Sequence, residues 1–304
     1  MENIPRIIHT DRLPVDIPVH ACLLDHHVEG QAVLPAVMAM QVIEETVKPL
    51  RREPGISVMT RGRFDKFLPI HSGMDPIPAY VDIDTYENGD LGVKLLTRNR
   101  IKTSSISRIK EHAAVYYPFD PSGISEPMPD PDASLFSALK GNCIEIEPDS
   151  IYRELVPFGE AFHSIQDSIT ISGHGVIARI GTPAAHASPS ISNTPCSPFP
   201  LDAAYHCACV WGQRYARTVA FPVGFEKRTL WHHTLPGESY FCRILPVQTH
   251  PQALVFDLWI VDEYGVLFEE DLGVSMKDVT AGRLKPPEWI SADLSFPVPE
   301  GASE

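Results

Sequence analysis

Two stretches of this chain are apolar at almost every position of a helical turn, and that restricts its architecture more than any other feature. The first, "PAVMAMQVIEETVKPL", opens at Pro35 and meets Pro49 near its other end. Proline suits a first helical position and stops a helix that reaches it from the other side. The second, "LDAAYHCACVWGQRYA", starts behind Pro200. A helix with one apolar stripe lies on a surface, whereas one that is apolar all round has to be wrapped.

Each helix is followed by four segments with the alternation and β-branched content of strands. After the first come "SVMTRGRFDKFLPI", "IPAYVDIDTYENG", "GVKLLTRNR" and "SSISRIKEHAAVYY"; after the second, "VAFPVGFEKRTLW", "ESYFCRILPVQ", "ALVFDLWIVDEYG" and "GVLFEEDLGVSMKDV". Gly and Asn-Gly turns between them suit antiparallel hairpins. The halves also share Phe64-Asp65-Lys66 and Phe225-Glu226-Lys227, each early in the first strand after its helix. The repeated order of elements predicts an internal duplication. Each unit is expected to be of α+β class, a curved antiparallel sheet wrapped around one helix, with the two units side by side. The expected boundaries are 1–117 for the first unit and 135–284 for the second. Between them, 118–134 reads "PFDPSGISEPMPDPDAS", a proline-rich acidic linker, and 285–304 reads as a tail. Residues 181–200, "GTPAAHASPSISNTPCSPFP", read as a long surface loop.

Composition narrows the function. A chain of 304 residues with 43% hydrophobic and 21% charged content can bury a substantial core and has the balance of a soluble globular protein. Its 25 basic and 39 acidic residues argue against a nucleic-acid partner, which needs basic surface. No stretch reaches the roughly 18 apolar residues that cross a bilayer, and "MENIPRIIHTDRLPVDI" lacks the apolar core of a signal peptide. The six cysteines form no CxxC pair and read as reduced, packed thiols. A cytoplasmic protein without membrane contact, disulfide framework or zinc ribbon is expected.

Asp202 and His206 stand out inside the second helix, four residues apart and so on one face. Two readings are open. Asp202 is a helix cap with a helper histidine, or an apolar wall raises its pKa so that it can serve as a general acid. His26 and His27 precede the first helix, and in extended chain only one of them can face a cleft behind it. A lone histidine there is usually structural, but Gly30 allows backbone to approach a ligand, and a free N–H near a helix start could polarise a carbonyl. There is no GxSxG, Walker A loop, GxGxxG or HExxH. The pair His232 and His233 has no acidic or cysteine partner at metal-ligand spacing, so no metal site is expected.

His26-x-x-x-Gly30-x-x-x-x-Pro35 resembles the HxxxGxxxxP motif of dehydratase domains in polyketide and polyunsaturated-fatty-acid synthases. Asp202-x-x-x-His206, within "PLDAAYH", resembles their second motif, Asp-x-x-x-Gln or His. "PFGEAFHSI" resembles their Tyr-Gly-Pro-x-Phe through Gly159 and Phe162, but Phe158 stands in place of the tyrosine and Glu160 in place of the proline. The resemblance spans about residues 15 to 280 and implies a double hotdog fold. It implies that His26 abstracts the α-proton of a 3-hydroxyacyl thioester while Asp202 protonates the departing β-hydroxyl. By the same resemblance the Gly30 N–H holds the thioester carbonyl, His206 orients the acid or binds the hydroxyl, and His27 is structural. Pro35, Gly159 and Phe162 are carried over as substrate-site residues.

No metal or redox cofactor is implied. The implied substrate arrives on the phosphopantetheine of an acyl carrier protein, within a set of synthase components. Docking of that acidic partner would need a basic patch, with Arg51, Arg52, Arg61 and Arg63, or Arg98, Arg100 and Lys102, as candidates. Paired hotdog edges would make a homodimer. Two other functions share these features: a cyclase of the product-template type, and a non-catalytic acyl-binding module.

Overall fold

The structure, a computed structural model, describes residues 5–50, 57–71, 73–100, 107–119, 137–183, 197–250 and 253–291. The first half holds β1 (Ile7–Ile17), a small hairpin of β2 (His27–Val28) and β3 (Gln31–Ala32), a central helix (Ala36–Val47), and then β4 (Ser57–Arg63), β5 (Ile77–Tyr86), β6 (Leu91–Arg100) and β7 (Ser107–Tyr117). The second holds β8 (Ile144–Ile146), β9 (Ile169–Ser172), β10 (Gly175–Gly181), a second central helix (Phe199–Ala216), and then β11 (Phe221–Leu230), β12 (Ser239–His250), β13 (Ala253–Val261) and β14 (Leu267–Lys277). Alternation does what it should: β13 buries Leu254, Phe256, Leu258 and Ile260 and turns the residues between them partly outward.

The large strands form one sheet in the order β1-β5-β6-β7-β4-β11-β14-β13-β12-β10-β9-β8. From the middle outward, β4-β7-β6-β5-β1 and β11-β14-β13-β12-β10 follow the same pattern, so the duplication is visible in the topology. The two units do not form separate sheets, as expected from sequence, because β4 and β11 pair antiparallel and fuse them edge to edge. That pairing removes an exposed edge from each unit.

Two glycines permit the seam. A Cβ on Gly224 would lie 2.3 Å from the Gly62 carbonyl oxygen, and one on Gly62 would lie 2.1 Å from the Phe225 ring. The repeated Phe-acid-Lys segments meet here: Phe225 faces Gly62 in the register, and the Phe64 and Phe225 rings are 6.1 Å apart.

Both helices are wrapped as their composition requires. Every residue from Phe199 to Arg214 is buried, and the first helix buries Met40, Ile43 and Val47 completely. Several details depart from expectation. The first strand after the first helix ends at Arg63, and the next residues leave the sheet. Strands β1 and β8 to β10 were not anticipated. The chain stays packed beyond Lys285: a turn at Glu288–Ser291 buries Ile290, whose carbonyl accepts a 2.6 Å bond from Arg214. Apolar contact with the second helix therefore holds what was read as the start of a tail. Most of the 118–134 linker and residues 184–196 of the long loop lie outside the described residues. No described helix is long and apolar enough to cross a membrane.

Gly224→Ala is expected to cost about 1–3 kcal/mol in denaturant unfolding, the usual range for overpacking. Gly173→Ala should be close to neutral, because its Cβ would meet only Tyr215 at 3.8 Å. Equal stability of the two variants would show that the seam is not tightly fitted.

Candidate active site

The short turn Ala21–Asp25 and hairpin β2–β3 hold His26 just ahead of the first central helix. Its Nδ1 donates to the Val33 carbonyl at 2.9 Å, and the Val33 N–H donates to the His26 carbonyl at 2.9 Å. A carbonyl can only accept, so Nδ1 carries the proton and Nε2 keeps a free lone pair. The ring lies against Phe158 and Phe162, with centroids 4.4 and 5.1 Å away. Burial pushes the imidazole below its ordinary range; Asp202 and the Val33 bond oppose this but do not reverse it. His26 is thus a neutral base at neutral pH.

Asp25 ties this histidine to the second half. Its carbonyl accepts the Gly159 N–H at 2.9 Å, and its carboxylate accepts the Ala161 N–H at 3.0 Å. A Cβ on Gly159 would sit 2.3 Å from the Asp25 carboxyl carbon, so this approach needs glycine.

Asp202 stands in the first turn of the second central helix. It is the fourth residue of that helix, whose N-cap position is held by Pro198, and this removes the capping reading. Oδ2 lies 3.0 Å from His206 Nε2, with both side chains almost wholly buried and the two atoms not aligned as a directed hydrogen bond. Burial pushes the carboxyl up, but the close approach of His206 and the attraction of His26 outweigh it and hold the group below its usual value. The expected rise from an apolar wall is therefore corrected by a neighbour on the same helix face. Both attractions require a positively charged imidazole, so the lowering holds only while His206 or His26 carries a second ring proton.

His26, Asp202 and His206 line one cavity of about 80 Å³ between the halves. Leu34, Ala36 and Ala39 of the first half and Val156, Phe158, Tyr205 and Cys209 of the second give it apolar walls. Past β4 the chain carries Phe64, Lys66, Phe67 and Leu68 along its side, opposite Phe221 and Pro222 at the start of β11. His112, buried and bonded to Thr97 at 2.7 Å, also lines it.

The other expected site residues fall elsewhere. Gly30 is exposed in the two-residue turn between β2 and β3, where Glu29 and Gly30 have φ of 51° and 78°. A turn with two positive φ values suits a glycine, and Gly30 is not one of the residues that line the cavity. Pro35 is the residue before the helix, not its first residue, and its carbonyl accepts the Met38 and Ala39 N–H groups. Gly159 and Phe162 support His26 from behind without lining the cavity, while Phe158 does line it. His27 donates from Nδ1 to the Asp25 carbonyl at 3.1 Å. Asp25 and His112 carried no motif, Lys66 stood out only as part of the repeated Phe-acid-Lys segment, and their three-dimensional neighbours reveal their place at the site. Among the described residues no group of three or more His, Cys, Asp or Glu is placed to hold a metal ion.

The sequence family described as the polyketide synthase dehydratase N-terminal domain matches residues 145–286. Solved structures extend the likeness over the chain. It is similar to a dehydratase domain of a mycocerosic acid synthase-like polyketide synthase, at 17% identity and TM-score 0.72, covering 92% of this chain and 94% of that one. It is similar to the dehydratase domain of the CurF module of curacin polyketide synthase, at 18% identity and TM-score 0.73, covering 90% and 95%. A third is a trans-AT polyketide synthase dehydratase domain from Brevibacillus brevis, at 15% identity and TM-score 0.72, covering 88% and 93%. No curated protein sequence matches. The whole chain thus has the double hotdog fold of polyketide synthase dehydratases, with a cavity where its two hotdogs meet.

Protonation of His26 removes the base, and its lowered pKa moves that loss to lower pH. For any reaction in which His26 serves as the base, the acid limb of kcat/KM should lie below ~6.5, the ordinary histidine value. A pH–rate profile whose acid limb lies above that value would contradict the assignment of a buried, neutral His26 as base.

Proposed function

We propose that His26 and Asp202 are the base and acid with which this dehydratase removes water from 3-hydroxyacyl thioesters, the intermediates of polyketide biosynthesis on which its family acts. One observation carries this: a histidine with a free Nε2 and a buried carboxyl without an aligned partner, contributed by different halves, line the same apolar cavity. In the reaction His26 Nε2 takes the α-proton as the C–H bond breaks. Asp202 gives its proton to the β-hydroxyl as the C–O bond breaks, and water and a trans-2-enoyl thioester result. The apolar walls exclude bulk water, which strengthens both charge interactions and protects the thioester from hydrolysis. Proton transfer is the whole of the chemistry, so no redox group is required.

Variants of a similar protein support the pairing: the CurK dehydratase of curacin polyketide synthase is inactive with a His-to-Phe or an Asp-to-Asn change. A carrier-borne substrate is favoured by Lys66, the one lysine or arginine lining the cavity among the described residues, exposed beside Phe67 and Phe221. Its ammonium is suited to the phosphate of a phosphopantetheine arm. The arginines expected to dock the carrier are in part engaged: Arg61 lies over the Tyr116 ring at 5.1 Å, Arg63 pairs with Glu111 at 3.0 Å, and Arg98 donates to Ser107 at 2.9 Å. Arg51, Arg52, Lys102 and the Arg100 side chain lie outside the described residues.

Mass spectrometry of 3-hydroxyacyl thioesters incubated with the enzyme is the test. The wild type and His27→Ala should release one water per substrate. His26→Ala and Asp202→Asn should lose about 10²–10⁴-fold in rate, the range for removing an acid–base group. A wild type that leaves every thioester intact, or a His26→Ala variant that turns over normally, would overturn the reading.

A further inference from the structure

Tyr152 lies in the helical turn Ile151–Leu155, buried, with its ring stacked on His163 at 4.1 Å. Its hydroxyl oxygen accepts two backbone N–H groups, from Ser164 and Ile165, each at 2.9 Å. A phenol oxygen has two lone pairs and one hydrogen. With both lone pairs engaged, the hydroxyl has only its hydrogen left to give, and the acceptor within reach is Nδ1 of His206 at 3.5 Å. The two rings meet edge-on, with centroids 5.9 Å apart.

This fixes which histidine nitrogen holds a proton. An Nδ1 that accepts from a phenol is unprotonated, so the His206 proton sits on Nε2, which faces Asp202 Oδ2 at 3.0 Å. An imidazolium would need a proton on Nδ1, opposite a phenol oxygen that has no lone pair left to receive it. The other ionisable groups facing this pair among the described residues are His26, from the first half, and the buried Cys207, next along the helix. Phe158 closes the remaining side, its ring 5.2 Å from that of His206.

We propose that Tyr152 is a positioning residue that holds His206 in its Nε2–H form, so that the transferable proton of the pair resides on the Asp202 carboxyl. This rests on the dehydration reading above and deepens it. In the step, the Asp202 O–H bond breaks and a new O–H bond forms on the departing hydroxyl, which leaves as water with the C–O electron pair. His26 retains the α-proton, and the carboxylate left on Asp202 accepts a hydrogen bond from His206 Nε2. Exchange with solvent then returns one proton to Asp202 and removes one from His26. The polar group that the family's second motif places next to the acid is here a histidine, and a histidine, unlike glutamine, needs a neighbour to fix its tautomer.

Nitrogen NMR of the wild type with isotopically labelled histidine tests the tautomer without any turnover, so its outcome is independent of whether the substrate has been identified. A neutral His206 protonated at Nε2 is expected; a proton on Nδ1, alone or in an imidazolium, overturns the proposal. The second arm is kinetic. Tyr152→Phe should lower kcat about tenfold or more with KM little changed, because a wrong tautomer impairs proton transfer and not binding. In a His206→Gln background, where no tautomer exists, the same Tyr152→Phe change should alter kcat by less than about twofold. Equal losses in both backgrounds would show that Tyr152 supports only the fold. If Tyr152→Phe does not fold, because the Ser164 and Ile165 N–H groups lose their acceptor, the NMR result on the wild type decides alone.

Discussion

The antiparallel pairing of β4 with β11 is the contact on which the rest of the molecule depends. It joins two wrapped helices through a shared sheet, and its register places the end of β4 against the start of β11. The Phe64 N–H donates to the Val223 carbonyl at 2.9 Å, and Phe67 meets Phe221 edge-on at 6.0 Å. Phe64, Phe67 and Phe221 form one side of the cavity. A shift of register would move both lips and would drive a side chain into the positions held by Gly62 and Gly224. Fold and site are in this sense one construction, since the cavity exists only where the two units are fused.

Burial then sets the chemistry. Removing a charge from water is costly unless it is paired, and each member of the dyad meets that constraint differently. His26 avoids charge: its Nδ1 proton is used on a backbone carbonyl, and burial keeps the ring neutral. Asp202 has His206 beside it, and the charge state of that neighbour decides whether the carboxyl keeps a proton. Supporting contacts cross the seam. Asp25, on the first half, bonds backbone N–H groups of Gly159 and Ala161 on the second, and Phe158 contacts both His26 and His206. The Phe158–Phe162 loop works as a splint between the two halves of the dyad.

Much of this was legible in the sequence, for identifiable reasons. An all-round apolar helix leaves a strong pattern, and alternation marked the eight strands that follow the helices because each has a buried face. An aspartate and a histidine four apart in such a helix are conspicuous. What escaped notice had weaker signals. Strand β1 is exposed along nearly its whole length at the sheet's edge, so it shows no clear alternation, and β8 and β9 are only three and four residues long. Asp25 and Tyr152 act through backbone groups; Asp25 reaches an amide 136 residues away, and no spacing rule reports that. Gly30 has two readings that do not compete: its motif marks a place for ligand approach, and its turn requires a residue with positive φ. The direction of the Asp202 shift depended on the geometry of His206, which the four-residue spacing permits but does not determine.

The central claim is that His26 and Asp202, from different halves, act as one proton-transfer unit. The measurement that bears on it most directly is kcat for His26→Ala, Asp202→Asn and the double variant with a single 3-hydroxyacyl thioester. Groups that act as a unit are strongly non-additive, so the double variant is expected to be no slower than the slower single one. Losses that multiply in the double variant would mean that the two residues contribute independently, and the dyad across the seam would have to be abandoned.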